Sequence, residues 1–140
     1  MTAGHEYFDV EADVGVRAWG PTLADAFAQA ALGVLALAVA PDGVRPVETR
    51  EVRAQGDSVE ELLVAWINEC LYVHEIEGFA TSSVEVTTLR APGLVHGLLH
   101  GEVIDAGRHR TGTVVKAATY HRLAVEHRPD GASVQIVVDV

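Results

Sequence analysis

Hydrophobic positions recur most regularly between residues 57 and 78 of the chain. They follow the i, i+3, i+4, i+7 spacing without a gap, at Val59, Leu62, Leu63, Trp66, Ile67, Cys70 and Leu71. Ser58 followed three residues later by Glu61 can form a capping box, and Gly78 tolerates the left-handed conformation that ends many helices. The pattern therefore predicts an amphipathic helix whose apolar face the rest of the chain has to cover.

A second helix is predicted between Thr22, which can cap it, and Pro41, which stops it. Its apolar positions keep helical spacing and are mostly small: Leu23, Ala26, Phe27, Ala30, Ala31 and Val34. Small side chains let a helix lie close to a sheet or to another helix. We therefore expect this face to serve packing and not a cofactor.

The remaining segments alternate apolar and polar residues, a pattern typical of strands. The predicted strands are residues 7–10, 14–19, 47–54, 83–89, 94–104, 113–126 and 133–140. Turns rich in Asp, Gly and Pro separate several of them, for example at 91–93 and 129–131. Because 140 residues suffice for one hydrophobic core and no linker or repeat interrupts them, we expect a single domain of residues 1–140.

The chain is acidic, with 20 Asp and Glu residues against 10 Lys and Arg residues and a formal net charge of −10. Its basic residues are scattered, and phosphate neutralisation supplies most nucleic-acid affinity, so strong direct binding to nucleic acid is not expected. A protein partner or a cation is favoured instead. Lys116 is the only lysine, and it lies within an apolar strand pattern.

The N-terminal residues lack the basic, apolar and small-residue order of a signal peptide, and no apolar run is long enough to span a membrane. Cys70 is the only cysteine and lies on the buried helix face, where a thiol is usually an inert small hydrophobe. We therefore expect a cytoplasmic protein in a reducing compartment, with no membrane partner. Self-association is left open.

Three oxygen donors are the main candidates for chemistry. The side chain of Asp139 adjoins the main-chain carboxylate of Val140, and two carboxylates in one low-dielectric corner need a proton, a cation or a lysine between them. With Asp13 they would suit a hard ion such as Ca²⁺ or Mg²⁺, and Lys116 would be the competing or completing positive charge. The simpler alternative is that all three are solvated chain ends and turns.

The histidines are weaker candidates. His74 continues the apolar stripe one turn beyond Leu71, which fits a hydrogen-bonded core histidine more simply than a ligand or a proton shuttle. His96 and His100 are four residues apart in a predicted strand, about 13 Å along it, too far to share a zinc ion. No nucleophile elbow, phosphate loop, paired-cysteine zinc motif or nucleotide-binding glycine pattern occurs in the sequence.

Six segments resemble the archease family, in order along nearly the whole chain: residues 12–23, 60–69, 71–75, 108–109, 115–121 and 136–140. The most specific are Ala-Asp-Val-Gly at 12–15, Lys-Ala-Ala-Thr-Tyr-His at 116–121 and the final Asp-Val at 139–140. The resemblance implies an α+β fold, a compact two-layer domain in which a mostly antiparallel or mixed β-sheet packs against two main α-helices.

The resemblance also implies a function. Archeases are not RNA ligases but activate the RtcB-type ligase, which joins RNA 2′,3′-cyclic phosphate or 3′-phosphate ends to 5′-hydroxyl ends in tRNA splicing and RNA repair. They promote its guanylylation and turnover. By similarity, Asp13, Asp139 and Val140 are expected to bind the divalent metal, Ca²⁺ or Mg²⁺, and Lys116 takes the position of a family lysine tied to activity. His74 is kept as a further functional candidate.

One departure from the family and two other functions stay open. Many members carry His-Thr before Ala-Asp, whereas this chain has Val10-Glu11. Glu11 would share a side with Asp13 if the segment stays extended, and it either adds a carboxylate near the site or faces solvent. The alternative function is a chaperone or specificity module for an RNA-modifying enzyme such as a tRNA methyltransferase. The third is a free-standing metal-dependent hydrolase, for which only His74 or His121 could be the base.

Overall fold

The computed structural model describes residues 2–140, which contain two α-helices and seven β-strands. In chain order they are β1 (Gly4–Val10), β2 (Asp13–Gly20), α1 (Leu23–Ala38), β3 (Glu48–Gln55), α2 (Val59–Glu77), β4 (Phe79–Arg90), β5 (Leu94–Val103), β6 (Ala117–Arg128) and β7 (Gly131–Asp139). A short 3₁₀ turn, Pro41–Gly43, follows α1. The predicted α+β fold with two main helices is confirmed.

The strands form two antiparallel sheets. The four-stranded sheet has the order β1-β2-β7-β6, and the three-stranded sheet has the order β3-β5-β4. The core lies against one face of each sheet, because α1 contacts β2, β7 and β4 while α2 contacts β3 and β6. In β7 this face carries Val134, Ile136 and Val138, as the alternation of the sequence predicted.

Both helices begin where the sequence pattern predicts. Thr22 caps α1 with a capping box, because its hydroxyl accepts the Asp25 N–H while the Asp25 carboxylate accepts the Thr22 N–H. Ser58 caps α2 through the Glu61 N–H alone, since the Glu61 carboxylate accepts the backbone N–H one residue before the cap. Within residues 2–140, neither helix combines the length and the hydropathy of a membrane span.

Trp66 ties the two helices together. Its side chain is fully buried, and its indole N–H donates to the Phe27 carbonyl of α1 at 2.9 Å. Gly78 ends α2 in the predicted left-handed conformation, with φ 58° and ψ 48°. Cys70 is buried on the same helix, and burial raises the pKa of its thiol, which agrees with an inert packing role.

Two strand starts differ from the prediction by four residues, the largest differences at the start of any strand. β4 begins at Phe79, four residues earlier than expected, because Phe79 and Ala80 are fully buried and pair with β5. β6 begins at Ala117, four residues later, since backbone N–H groups of the residues before it donate to carbonyls at the end of α1. The helix ends therefore decide where these two strands start.

His96 and His100 lie on β5, as predicted, and not on a helix. Their Nε2 atoms approach different carboxylates, that of Glu51 at 3.9 Å and that of Glu85 at 3.2 Å. The two imidazoles therefore have separate surroundings.

Two glycines of β5 allow the chain to pack unusually closely. β4 has one extra residue opposite Gly97 and another opposite Gly101, so both bulges lie in the strand that pairs with these glycines. A Cβ on Gly97 would lie 2.6 Å from the Trp66 ring and 2.6 Å from the Glu85 carbonyl oxygen. A Cβ on Gly101 would overlap the Ala80 carbonyl oxygen. No larger residue fits at either position without displacement of the backbone.

We predict that Gly97→Ala lowers the free energy of unfolding by about 1–3 kcal/mol, the usual cost of overpacking a core. Urea unfolding followed by circular dichroism measures this difference. The matched control is Gly43→Ala, because a Cβ on Gly43 meets no atom within 4 Å. A Gly97→Ala protein as stable as the control would contradict the packing described for Trp66.

Glu102 is a buried carboxylate that organises the turn after β5. Its oxygens accept hydrogen bonds from the Arg45 backbone N–H at 2.8 Å and from His109 Nε2 at 2.9 Å, and form an ion pair with Arg108 at 2.6 Å. His109 Nδ1 accepts the Asp105 N–H, so His109 Nε2 carries the proton that Glu102 accepts. Arg108 and then the Arg45 N–H hold the pKa of Glu102 well below its usual range.

Glu102 should therefore make stability depend on pH in one direction. Because its pKa is lower in the folded state, its stabilisation is complete above the unfolded carboxyl pKa near 4.5 and is lost as the pH falls further. We expect Glu102→Gln to lower the free energy of unfolding at neutral pH. The difference in this free energy between the variant and the wild type should become smaller at acidic pH. Urea unfolding across this range measures the difference.

Glu126→Gln is the control for this experiment, because Glu126 and its partner Arg128 are both exposed. Its effect on stability should be small throughout. A difference between Glu102→Gln and the wild type that stays constant into the acidic range would contradict the assignment of Glu102 as the buried, ionised centre of the turn.

Candidate functional site

Three segments of the chain meet at one end of the four-stranded sheet. β2 and β7 pair with Val14 opposite Val138, so the next residues outward, Asp13 and Asp139, face each other across the two strands. On the other side of β7, Ala117 lies opposite Asp139, and the Lys116 N–H donates to the Asp139 carbonyl at 2.9 Å. We call Asp13, Asp139, Val140 and Lys116 the carboxylate corner.

The two aspartates of the carboxylate corner lie on the sheet face away from the helices. Val14 and Val138 pack against the core, so the alternation of the strands places Asp13 and Asp139 on the opposite face. The Cβ atoms of directly opposed residues lie about 4.5–5.5 Å apart. Both side chains are half-buried, and no basic side chain of residues 2–140 forms an ion pair with either.

The donors of this corner suit a hard cation. No group of three or more His, Cys, Asp and Glu side chains converges as a metal site within residues 2–140. The corner instead has two aspartates at opposed positions of paired strands, and the main-chain oxygen of Val140 follows directly after Asp139 in the sequence. Oxygen donors of this kind are those that Ca²⁺ and Mg²⁺ prefer, and half-buried carboxylates without a basic partner favour a positive charge between them.

Glu11 does not continue the strand that holds Asp13. Glu11 and Ala12 form the two-residue turn between β1 and β2, and Glu11 has a positive φ of 49°. Glu11 would share a side with Asp13 only if the segment were extended. The turn at Glu11 and Ala12 means that this condition is not met. A turn is required because Val10 pairs directly with Asp13.

Lys116 follows directly after a residue that lines the same cleft as His74. Lys116 is exposed, whereas its neighbour Val115 is buried and lines a cleft of about 390 Å³ that His74 also lines. His74 is half-buried, and its Nδ1 donates to the Phe79 carbonyl at 3.0 Å, so the neutral ring keeps a lone pair on Nε2. The backbone bond satisfies one nitrogen, as the simpler interpretation of His74 requires.

β6 contains a large irregularity that has no signal in the sequence. Four residues, 120–123, stand opposite the single residue Ile136, and Arg122 adopts a positive φ of 55°. The Arg122 guanidinium lies 5.1 Å from the centre of the Phe8 ring, which Arg17 approaches at 4.9 Å. This bulge leaves Tyr120 and His121 exposed near the carboxylate corner. A regular alternation of residue types conceals such a feature.

Comparison with known proteins agrees with this fold. The sequence profile of the Archease protein family (MTH1598/TM1083) matches residues 5–140. The chain is 38% identical to the protein archease of Saccharolobus islandicus over 135 residues, covering 96% of this chain and 97% of that protein. It is 33% identical to the protein archease of Pyrococcus furiosus over 141 residues, with the same coverage.

Solved structures give the same result. The solution structure of Methanobacterium thermoautotrophicum protein 1598 superposes with a TM-score of 0.79 at 29% identity, covering 98% of this chain and 99% of that one. The crystal structure of an archease from Thermotoga maritima, described as a possible chaperone, has a TM-score of 0.59 at 17% identity and covers 96% of each chain, which supports the fold alone. By its sequence over nearly its whole length, the chain belongs to the archease family.

Proposed function

We propose that this protein is a non-catalytic activator of an RtcB-type RNA ligase and that it acts through a divalent cation, Ca²⁺ or Mg²⁺, at the carboxylate corner. One observation supports this most strongly: Asp13 and Asp139 face each other at the end of paired strands without a basic partner. Family membership supports the choice of partner.

The strand ladder orients the donors before any partner binds. Asp13 lies in β2, which pairs with β7. Asp139 lies in β7, which pairs with β2 on one side and with β6 on the other. Rigid strands hold a constellation more accurately than loops do. A cation bound between these oxygens would supply positive charge that stabilises phosphate oxygens during guanylylation of the ligase.

Lys116 adds a second positive charge at the same place. Its backbone is held by the Asp139 carbonyl, while its side chain is exposed. The ammonium is therefore free to contact a phosphate of the nucleotide or of the RNA end. The net charge of −10 suits docking onto a basic RNA-binding surface of the ligase, since complementary charge speeds association.

Multiple-turnover ligation and ligase guanylylation, with and without this protein, test the proposal. We predict that substoichiometric wild-type protein raises turnover and that Asp13→Asn and Asp139→Asn each reduce the stimulation at least about tenfold, since each removes a charged metal ligand. Lys116→Ala should also reduce it, while leaving cation binding in place.

Asp130→Asn is the matched control, because Asp130 is exposed in the turn at the opposite end of β7. It removes the same charge and should stimulate like wild type. Circular dichroism confirms folding of each variant. Full stimulation by Asp13→Asn and Asp139→Asn would disprove the role of the corner, and a ligase equally fast without the protein would disprove the activator function.

The second candidate function is a chaperone or specificity module for a tRNA methyltransferase. Tyr72 and Ile76 on the last turns of α2 are 59% and 63% exposed, and Val114 beside the 390 Å³ cleft is 78% exposed. Exposed apolar side chains near a cleft favour contact with another protein. This function predicts that the protein keeps a methyltransferase soluble equally well with and without a metal chelator. Activation of the ligase, in contrast, requires the cation.

A further inference from the structure

A second cleft lies on the outer face of the three-stranded sheet. It has a volume of about 310 Å³ and is lined by Arg53, Thr88, Arg90, Leu94 and His96. Val52 and Val95, the neighbours of Arg53 and His96 along their strands, are buried in the core. The alternation of the strands therefore places the cleft on the side away from the helices.

The register of the sheet arranges the polar residues of this cleft as a compact set. Arg53 of β3 and Thr88 of β4 both lie directly opposite His96 of β5, so the three form one row across the sheet. Arg90 lies in the next row on the same face, opposite Leu94. Neighbouring strands are about 4.8 Å apart, and successive rows on one face are about 7 Å apart. Two arginine side chains at these separations are close enough to contact the same small anion.

The two arginines are not neutralised by the protein. Of the nine arginines, six form ion pairs with acidic side chains of residues 2–140, at positions 17, 45, 50, 108, 110 and 128. Arg53 and Arg90 form none, although acidic residues outnumber basic ones by 20 to 10. Two unpaired guanidinium groups at one cleft of an acidic protein indicate a place for an external anion.

His96 supports this interpretation independently of charge. Its Nε2 is buried without a hydrogen-bond partner, and the nearest acidic group, the Glu51 carboxylate, is 3.9 Å away, beyond hydrogen-bond distance. An unpaired buried nitrogen is costly and usually indicates a missing partner. The His96 side chain as a whole is 25% exposed, so a rotation of its ring would turn Nε2 toward the cleft, where an oxygen of a ligand would supply that partner.

We propose that this cleft binds the phosphate group of a small phosphate monoester, of about the size of a mononucleotide. Arginine presents its N–H donors in a fork that matches phosphate oxygens, and bonds to charged acceptors are the strong ones. Thr88 and His96 complete the set of polar groups, and Leu94 provides an apolar contact for the group attached to the phosphate.

The site is separate from the carboxylate corner. The cleft is built on the three-stranded sheet of β3, β5 and β4, whereas Asp13 and Asp139 lie at the end of two paired strands of the four-stranded sheet. The two places are therefore on different sheets. Binding at one can fail while the other functions, so this inference does not depend on the ligase.

Titration with inorganic phosphate and with adenosine 5′-monophosphate, followed by ¹H–¹⁵N NMR, tests the proposal. We expect saturable shifts at Arg53, Thr88 and His96 with both ligands, tighter with the nucleotide, and none with adenosine. The double variant Arg53→Gln/Arg90→Gln should bind at least about tenfold more weakly, because it removes both charged donors.

The matched control is Arg110→Gln/Arg128→Gln, which removes the same charge from two exposed arginines outside the cleft. It should bind like wild type, and the backbone spectra report whether each variant is folded. If both double variants weakened ligand binding equally, net charge alone would explain the effect and the proposed site would be disproved. The absence of saturable shifts in the cleft at millimolar ligand would also overturn it. Phosphate that binds as tightly as adenosine 5′-monophosphate would disprove the nucleotide-sized ligand.

Discussion

The pairing of β7 with β2 on one side and β6 on the other is the constraint on which the rest of the molecule depends. β7 buries Val134, Ile136 and Val138 against the helices and thereby fixes which of its residues face outward. A slip of one residue would reverse both faces, so the core sets the register strongly. The same register places Asp139 opposite Asp13 and beside the start of β6. The corner is a consequence of how the core packs.

Much of the fold could be predicted from local sequence because several signals agreed. The spacing of apolar residues, the caps Thr22 and Ser58 and the terminal Gly78 all indicate the same helices. Strand positions followed from alternation, but their boundaries did not. β4 starts directly after Gly78 because tertiary burial of Phe79 outweighs local pattern, and the bulge at 120–123 has no signature in residue types.

The candidate site was only partly accessible to sequence reasoning. Asp13 and Asp139 were recognisable as oxygen donors and through the family resemblance, but their opposition depends on strand order, which residue types do not encode. Glu11 shows the limit clearly, since its side relative to Asp13 depended on whether the segment is extended, and the structure has a turn there. The basic residues at 108–110 do not form one free surface patch either, because Arg108 forms an ion pair with the buried Glu102 and His109 donates a hydrogen bond to it.

The cleft of Arg53, Arg90 and His96 is a further case of residues that only topology brings together. Its residues are as far as 43 positions apart in the sequence and belong to no recognisable motif. Unlike the carboxylate corner, it opposes the overall charge of the protein. An acidic molecule that keeps a cationic cleft on one sheet and a carboxylate corner on the other can present opposite charges to different partners.

The central claim is that the carboxylate corner binds a divalent cation, and calorimetric titration of metal-free protein with Ca²⁺ and with Mg²⁺ tests it most directly. The account predicts saturable binding of one ion per chain by the wild type and by Asp130→Asn, and its loss in Asp13→Asn and in Asp139→Asn. Binding that is absent from the wild type, or that persists unchanged in both corner variants, would contradict it.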